Sequence, residues 1–225
     1  MNEVDFNNFT ENYNDLLRQG TQFFTQDEMY FAQYKVQLAR RIIGGEPARI
    51  LEYGCGIGRN VSFLRQYFKS AEICGSDISA KSLDVARAEN PGIYFWEEGD
   101  EASERSGFDL VFVAGVFHHV PPAERADAVR KIHSRLNRGG SLVVFEHNPY
   151  NPVTRRIVNR CPYDKDAVLL APREVRYHLE QAGLCVVKHA YALFLPPSLK
   201  MFSCLESRLG WLPLGGQYWV HATKV

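Results

Sequence analysis

Polar side chains that could move a proton follow two apolar runs of the sequence. His118 and His119 come shortly after one run, and Glu146 and His147 come directly after the next. A histidine, with a pKa of about 6.5, can accept a proton at neutral pH, and a carboxylate can do the same or bind a substrate. We therefore predict that His118 or His119 is a general base, with Glu146 or His147 as the alternative base or substrate ligand.

The two adjacent histidines are expected to play different roles. Neighbouring residues of an extended segment point in opposite directions, so at most one of His118 and His119 should face a substrate. Together with Glu146 and His147, they could in principle ligate a divalent ion. Adjacent histidines seldom reach one ion together, so the sequence favours a site without metal.

A second chemical feature is the glycine-rich stretch at residues 49–60. Its apolar first half predicts a buried strand, after which Gly54, Gly56 and Gly58 follow at a spacing of two. Without Cβ atoms the backbone can turn sharply and present bare N–H groups to a ligand. Apolar residues at helical spacing follow, so the loop leads into a helix N-terminus. A strand, a glycine loop and a helix in this order predict a nucleotide site.

Asp77 ends the next predicted strand. It lies roughly 20 residues after Gly54, a separation at which a carboxylate can accept hydrogen bonds from both ribose hydroxyls. The sequence therefore predicts that Asp77 binds a ribose.

The apolar patterns between these residues predict strands that alternate with helices. The carboxyl ends of parallel strands meet at one edge of a sheet, so the glycine loop, Asp77 and the two polar pairs should meet there. The last two strands are predicted at 184–190 and 217–223. The predicted fold class is α/β, a doubly wound and mostly parallel seven-stranded sheet.

Composition narrows the class of protein further. The chain has 225 residues, of which 45% are hydrophobic, and this fits one globular domain with additions. Lys plus Arg and Asp plus Glu number 26 each, a balance that disfavours a nucleic-acid partner. Five cysteines without paired spacing predict reduced thiols, and no apolar run is long enough for a membrane span. A cytoplasmic location is expected.

The glycine loop resembles motif I of the class I S-adenosylmethionine-dependent methyltransferases. The likeness rests on the spacing G-x-G-x-G and on Glu52 two residues before the first glycine. A dinucleotide fingerprint would instead have its third glycine where Arg59 stands. The later pattern F-D-L-V followed by F-H-H-V-P resembles the small-molecule branch of the family, the quinone and natural-product methyltransferases. The resemblance implies S-adenosyl-L-methionine as cofactor and a Rossmann-like fold with an antiparallel last strand.

The resemblance also implies contacts to the cofactor. In the family, the acid before the glycines helps to hold the methionine end. An acid after the third strand binds the adenine amino group, a position that Asp100 matches and that Glu101 could share through its backbone. The implied cofactor-binding residues are Glu52, Gly54, Cys55, Gly56, Gly58, Asn60, Asp77, Ile78, Asp100, Glu101 and Ala114.

Aromatic segments flank this region on both sides. Residues 1–45 predict helices that either pack on the sheet or form a cap over the substrate, and residues 46–225 form the predicted methyltransferase domain. Within it, 190–216 is an insertion that is either a hydrophobic hairpin or a lid, and 197–214 could touch a membrane peripherally. The predicted substrate and cap residues are Tyr13, Tyr30, Tyr34 and Phe117.

These features predict a methyltransferase that acts by in-line displacement. The expected acceptor is an oxygen or nitrogen atom of a small, apolar or aromatic metabolite, such as a natural product, a quinone or a lipid-linked molecule. Two alternatives remain at this stage: an NAD(P)-dependent oxidoreductase on a Rossmann scaffold, and a cofactor-binding partner protein without catalysis.

Overall fold

A computed structural model describes residues 24–25, 27, 29–99, 105–198, 206 and 208–225. In this part of the chain, seven strands form one sheet. The strands are β1 (Arg49–Tyr53), β2 (Glu72–Asp77), β3 (Tyr94–Glu97), β4 (Phe108–Ala114), β5 (Leu136–His147), β6 (Leu184–Ala192) and β7 (Gln217–Lys224).

The sheet has the strand order β3-β2-β1-β4-β5-β7-β6. Neighbouring strands from β3 to β5 pair in parallel, whereas β7 pairs antiparallel with both β5 and β6. The order runs outward from β1 in both directions, so the crossover helices must lie on both faces. The predicted doubly wound, mostly parallel sheet with an antiparallel last strand is confirmed.

Helices cover both faces of the sheet. Apolar residues of the first three helices join one core cluster, and those of the fourth and sixth helices join the cluster on the other face. The α-helices of the described residues are α1 (Tyr30–Ile43), α2 (Arg59–Tyr67), α3 (Ala80–Glu89), α4 (Arg125–Arg135), α5 (Pro152–Val158) and α6 (Pro172–Gln181).

The central strand β4 explains why the sheet is stable with this arrangement. Leu110, Val111, Phe112 and Val113 are all buried completely, and they alternate between the two core clusters. A strand covered on both faces is expected to be a near-continuous apolar run, and the sequence has such a run from Leu110 to Ala114.

Strand β5 is longer than the sequence predicts. It begins at Leu136, which pairs with Phe108, whereas a glycine pair such as Gly139 and Gly140 usually marks a turn before a strand begins. The glycines lie within the strand, next to a register shift between Phe108 and Leu110. Helix α4 accordingly ends at Arg135.

The predicted insertion at 190–216 lies between β6 and β7, apart from residues 190–192, which belong to β6. Its described residues include Trp211 and Leu214, whose side chains are exposed. Among the residues that the structure describes, no helix is both long and apolar enough to cross a membrane. The division into a cap at 1–45 and a domain at 46–225 stays a prediction, because residues 1–23 lie outside the described part.

A buried arginine ties the segment after β5 to the sheet edge. Arg125 is only 1% exposed, and its guanidinium donates to the carbonyls of Val120 (3.1 Å) and Val168 (2.7 Å) and to Glu174 Oε1 (2.6 Å). The Val168 N–H in turn donates to the carbonyl of His118 at 2.8 Å. One side chain thus holds two loops together at the carboxyl edge.

We predict that Arg125→Met lowers the free energy of unfolding by about 2–4 kcal/mol, because two backbone carbonyls lose charged donors while the packed stem is kept. Urea unfolding followed by circular dichroism measures this change. Arg130→Met on the same helix is the matched control, because its side chain is exposed, and it should change stability by less than about 0.5 kcal/mol. Equal losses in the two variants would contradict the anchoring role of Arg125.

Candidate active site

The carboxyl ends of β1, β2, β4 and β5 border a cavity of about 890 Å³. This is the edge at which open parallel sheets bind ligands. The topology brings most of the predicted site residues to this one cavity. Those that line it are Gly54, Cys55, Gly56, Asn60, Asp77, Ile78, Ala114, His118, His119 and His147.

The glycine loop is held by the end of β2. The N–H groups of Gly54 and Cys55 donate to the carbonyl of Ser76 at 2.8 and 2.9 Å. A Cβ on Gly54, where φ is +70°, would lie 2.5 Å from a methyl group of Val116, so a side chain there would be strained and would displace Val116. At Gly56, where φ is +52°, a Cβ would have no atom within 4 Å. The loop therefore leaves open space over Gly56, where a ligand can approach the backbone.

Asp77 connects this loop to the next helix. Its Oδ2 accepts from the Gly56 N–H at 2.7 Å and its Oδ1 accepts from the Ser79 N–H at 2.9 Å. Burial raises the pKa of Asp77, although the backbone donors act in the opposite direction. Ile78 beside it lines the cavity and is 61% exposed, so it offers an apolar surface that a bound ligand would cover.

Glu52 and Asn60 form a buried pair behind the loop. The Asn60 amide donates to Glu52 Oε1 at 2.6 Å, while Glu52 Oε2 and Asn60 Oδ1 have no hydrogen-bond partner among the described residues. Burial raises the pKa of Glu52 to about 8, despite the hydrogen bond from Asn60. Asn60 lines the cavity, and Glu52 does not. Buried acceptors without donors fit the ammonium group of the cofactor that the resemblance implies.

Two cations near the loop were missed from the sequence. Lys35 of α1 and Arg59 at the start of α2 both line the cavity. Desolvation lowers the pKa of Lys35 to about 8, although Glu52 and Glu146 act in the opposite direction. Both cations are suited to a ligand carboxylate such as that of a methionine group. In the sequence of an amphipathic helix, a lysine that lines a cavity looks the same as a lysine that is exposed to solvent.

The histidines converge on Asp164. His118 Nε2 lies 3.7 Å and His119 Nε2 lies 3.4 Å from Asp164 Oδ1, and the two imidazole centroids are 4.1 Å apart. The His147 ring lies 5.0 Å from that of His118. The structure therefore places three imidazoles and one carboxylate in a single cluster, which we call the histidine cluster (His118, His119, His147 and Asp164).

The expectation that His118 and His119 diverge is wrong. The segment after β4 is a turn and not extended backbone, because the His119 N–H donates to the carbonyl of Val116 and the Val120 N–H donates to that of Phe117. In a turn, neighbouring side chains can share one side. Both imidazoles consequently line the cavity.

Glu146 is a support for the cluster and does not meet the cavity, which corrects its predicted role as base or substrate ligand. Its Oε1 accepts from the N–H groups of Val116 (3.0 Å) and Phe117 (2.7 Å), and its Oε2 lies 2.6 Å from His118 Nδ1. These partners occupy both oxygens. Phe117 is also corrected as a substrate contact, since its ring is buried in the core.

The pKa values of the three imidazoles differ strongly. Burial alone would lower the pKa of His118, but Glu146 and Asp164 outweigh it and raise the pKa to about 9. Burial and the neighbouring His118 lower the pKa of His119 to about 3 and that of His147 to about 4. His119 and His147 are thus neutral at pH 7, and as neutral rings they can accept a hydrogen bond or bind a cation.

Asp164 and its neighbour Tyr163 were also missed from the sequence. They lie on a 3₁₀ turn, Pro162–Asp164, and both line the cavity. The Tyr163 ring meets His119 edge-on at a centroid distance of 5.1 Å. In the sequence, Tyr163 and Asp164 are only a tyrosine and an acid that follow a proline. The fold places them next to the histidines.

Several predicted contacts lie elsewhere. Tyr30 and Tyr34 border a separate hollow of about 1380 Å³. The Tyr34 hydroxyl donates to Glu206 at 3.1 Å and accepts from the Leu193 N–H, so α1 turns these rings away from the main cavity. Gly58 packs against Asn90 and Ala86 of the next crossover instead of lining the cavity. Tyr13, Asp100 and Glu101 lie outside the described residues.

Comparisons with known proteins identify the domain. A family model described as "Methyltransferase domain" matches residues 51–142. Trans-aconitate 2-methyltransferase from Azoarcus sp. is 25% identical over 156 residues, covering 67% of this chain and 60% of that protein. The protein of the same name from Methylobacterium nodulans is 30% identical over 132 residues, covering 56% and 50%. The chain therefore spans about half to three fifths of the length of these curated relatives.

A solved structure agrees over nearly the whole length. The TehB-like S-adenosylmethionine-dependent methyltransferase from Corynebacterium glutamicum has a TM-score of 0.63 and 18% identity, and the match covers 97% of this chain and 99% of that chain. At this identity the likeness concerns the fold. Residues 51–142 thus match a methyltransferase domain, and the fold of nearly the whole chain is that of S-adenosylmethionine-dependent methyltransferases.

Proposed function

We propose that the protein transfers the methyl group of S-adenosylmethionine to an oxygen or nitrogen atom of a small, apolar or aromatic metabolite. The observation that carries this proposal is the single cavity that the glycine loop and the histidine cluster share. A cofactor bound at the loop and an acceptor bound beside the cluster would then be neighbours in the same cavity. Transfer needs this proximity, since in-line displacement depends mainly on holding the acceptor atom close to the methyl carbon.

The walls of the cavity support an apolar or aromatic acceptor. Apolar side chains from four parts of the chain line it, and they would exclude water from the reacting atoms. These residues are Phe24, Phe31, Val153, Ile157, Leu193, Phe194 and Leu214. The relatives named for trans-aconitate support a small-molecule acceptor.

Residues of this chain would act as follows. The glycine loop and Asp77 hold the nucleoside. Asn60, Lys35 and Arg59 surround the methionine end, and Glu52 holds Asn60 from behind the loop. When bound, S-adenosylmethionine supplies a methyl group on a sulfonium, which is a good leaving group. His119 Nε2 takes up the proton of the acceptor. Asp164, 3.4 Å away, counteracts the low pKa of His119 because its carboxylate stabilises the imidazolium that forms. Glu146 fixes the orientation of His118 beside it.

The insertion supports a contact with an apolar partner. Leu214 lines the cavity and is 57% exposed, and Trp211 nearby is 75% exposed. These positions fit the expected peripheral membrane contact through 197–214, from which a lipid-linked acceptor could enter. A cytoplasmic location and the absence of a nucleic-acid partner remain part of the proposal, and the balanced charge of the chain supports the latter.

An acceptor screen tests the proposed reaction. Purified protein is incubated with methyl-labelled S-adenosylmethionine and a panel of phenols, quinols, amines and carboxylic acids that includes trans-aconitate. We expect a labelled product and stoichiometric S-adenosylhomocysteine from at least one acceptor class. Tight binding of S-adenosylhomocysteine without turnover on any class would favour the catalytically silent alternative. The dinucleotide-dependent alternative loses support, because the family model that matches residues 51–142 is a methyltransferase domain.

We predict that Asp77→Asn weakens binding of S-adenosylhomocysteine by about 10- to 100-fold. The change removes a charged acceptor, worth about 1.5–3 kcal/mol per hydrogen bond, and sets an amide N–H against the Gly56 N–H. Isothermal titration calorimetry measures the affinity. Asp84→Asn, an exposed acid on α3, is the control and should bind like the parent protein. An unchanged affinity in folded Asp77→Asn would remove the ribose role.

We predict that His119→Asn lowers kcat by about 100-fold or more, because a positioned general base contributes about 10²- to 10⁴-fold. Its affinity for S-adenosylhomocysteine should stay within about twofold of the parent value, since the glycine loop is untouched. The control is His189→Asn, an exposed histidine of β6 outside this cavity. Full activity of His119→Asn would transfer the base role to His147 or show that no base is needed.

A further inference from the structure

We propose that His118, His119 and Asp164 form a binding site for a divalent first-row transition-metal ion. The geometry reverses the expectation from the sequence that the site lacks a metal. Nitrogen atoms of both histidines and a carboxylate oxygen of Asp164 lie within 4.8 Å of one another. The proposal concerns ion binding alone and does not require methyl transfer.

The separations fit one ion. Two ligand atoms that each lie about 2.1 Å from an ion are about 3.0–3.4 Å apart in octahedral or tetrahedral sites. Asp164 Oδ1 lies 3.4 Å from His119 Nε2 and 3.7 Å from His118 Nε2. Small side-chain rotations would therefore bring all three atoms to ligand distance.

The support of His118 matches that of a metal-bound histidine. Such histidines donate their second ring N–H to a carboxylate, which leaves the other nitrogen free to bind the ion. His118 Nδ1 lies 2.6 Å from Glu146 Oε2, and Glu146 is itself held by two backbone N–H groups. His118 Nε2 is thereby aimed at Asp164. A buried histidine with a fixed orientation is expected of a metal ligand.

The two other ligands are also held in place. The turn of Asp164 is followed by Val168, whose N–H donates to the carbonyl of His118 and whose own carbonyl accepts from Arg125. His119 lies in the hydrogen-bonded turn after β4. The three ligands thus come from two loops that are tied to each other. Two carboxylates, Glu146 and Asp164, give the site a negative charge that attracts a cation.

The donor set indicates the kind of ion. Two imidazole nitrogens and one carboxylate oxygen suit Zn²⁺, Fe²⁺, Co²⁺ or Mn²⁺ rather than Mg²⁺ or Ca²⁺, which prefer oxygen ligands. The remaining coordination positions would face the cavity. If the proposed function is correct, an acceptor oxygen could occupy one of them, and His119 would then act as a ligand instead of a base.

Cobalt titration of the whole chain tests the site. Chelator-treated protein carrying Cys185→Ser, which removes an exposed thiol, is titrated with Co²⁺ in the absence of cofactor and acceptor. We expect one ion per chain with visible d–d absorption bands. His119→Ala and Asp164→Asn should each weaken binding by at least about tenfold, and Glu146→Gln by about 10- to 100-fold. His189→Ala should bind like the parent protein, and thermal unfolding checks that every variant folds.

Three results would overturn the inference. They are the absence of a Co²⁺ signal in folded protein, equal binding in the ligand variants, and a sulfur-to-cobalt charge-transfer band that assigns the ion to a cysteine such as Cys161. If no Co²⁺ signal is seen, a protonated His118 beside Asp164 explains the arrangement without a metal ion. None of these results depends on an acceptor, so failure of the metal site and failure of the proposed methyl transfer are separate outcomes.

Discussion

The site depends on one buried carboxylate at the end of β5. Glu146 is 1% exposed, and a charge removed from water in this way is tolerated only when hydrogen bonds compensate it. Two backbone N–H groups and the His118 ring supply that compensation. In satisfying Glu146 the chain after β4 folds into a turn, and this turn brings His118 and His119 into the cavity. The hydrogen bonds that compensate the charge of Glu146 therefore fix the positions of His118 and His119.

The glycine-loop side of the cavity follows a similar rule. There the backbone of the glycine loop supplies the donors, and the carbonyl of Ser76 and the carboxylate of Asp77 accept them. Both ends of the cavity are thus built from neighbouring strand ends that share hydrogen bonds across the sheet edge. Glu52 is the exception, since one of its oxygens has no donor among the described residues.

The region after β5 gives the cavity its particular chemistry. Helix α5 and the 3₁₀ turn contribute apolar walls together with Tyr163 and Asp164, and Arg125 fastens this region to α4 through the carbonyl of Val168. The parallel sheet and the glycine loop are general to the fold. Differences in acceptor among proteins of this fold are expected to lie in such added segments, because loops at the carboxyl edge can vary without disturbing the core.

The sequence by itself determined the fold class, the cofactor and the edge at which the site lies. Apolar runs, glycine spacing and Glu52 are local patterns, and parallel topology carries strand ends to one edge. The tertiary structure decided what local patterns do not encode. It turned His119 toward Asp164, withdrew Glu146, Phe117, Tyr30 and Tyr34 from the cavity, and brought Lys35 into it. Those outcomes depend on hydrogen bonds and packing between residues far apart in the chain, which no spacing along the sequence can express.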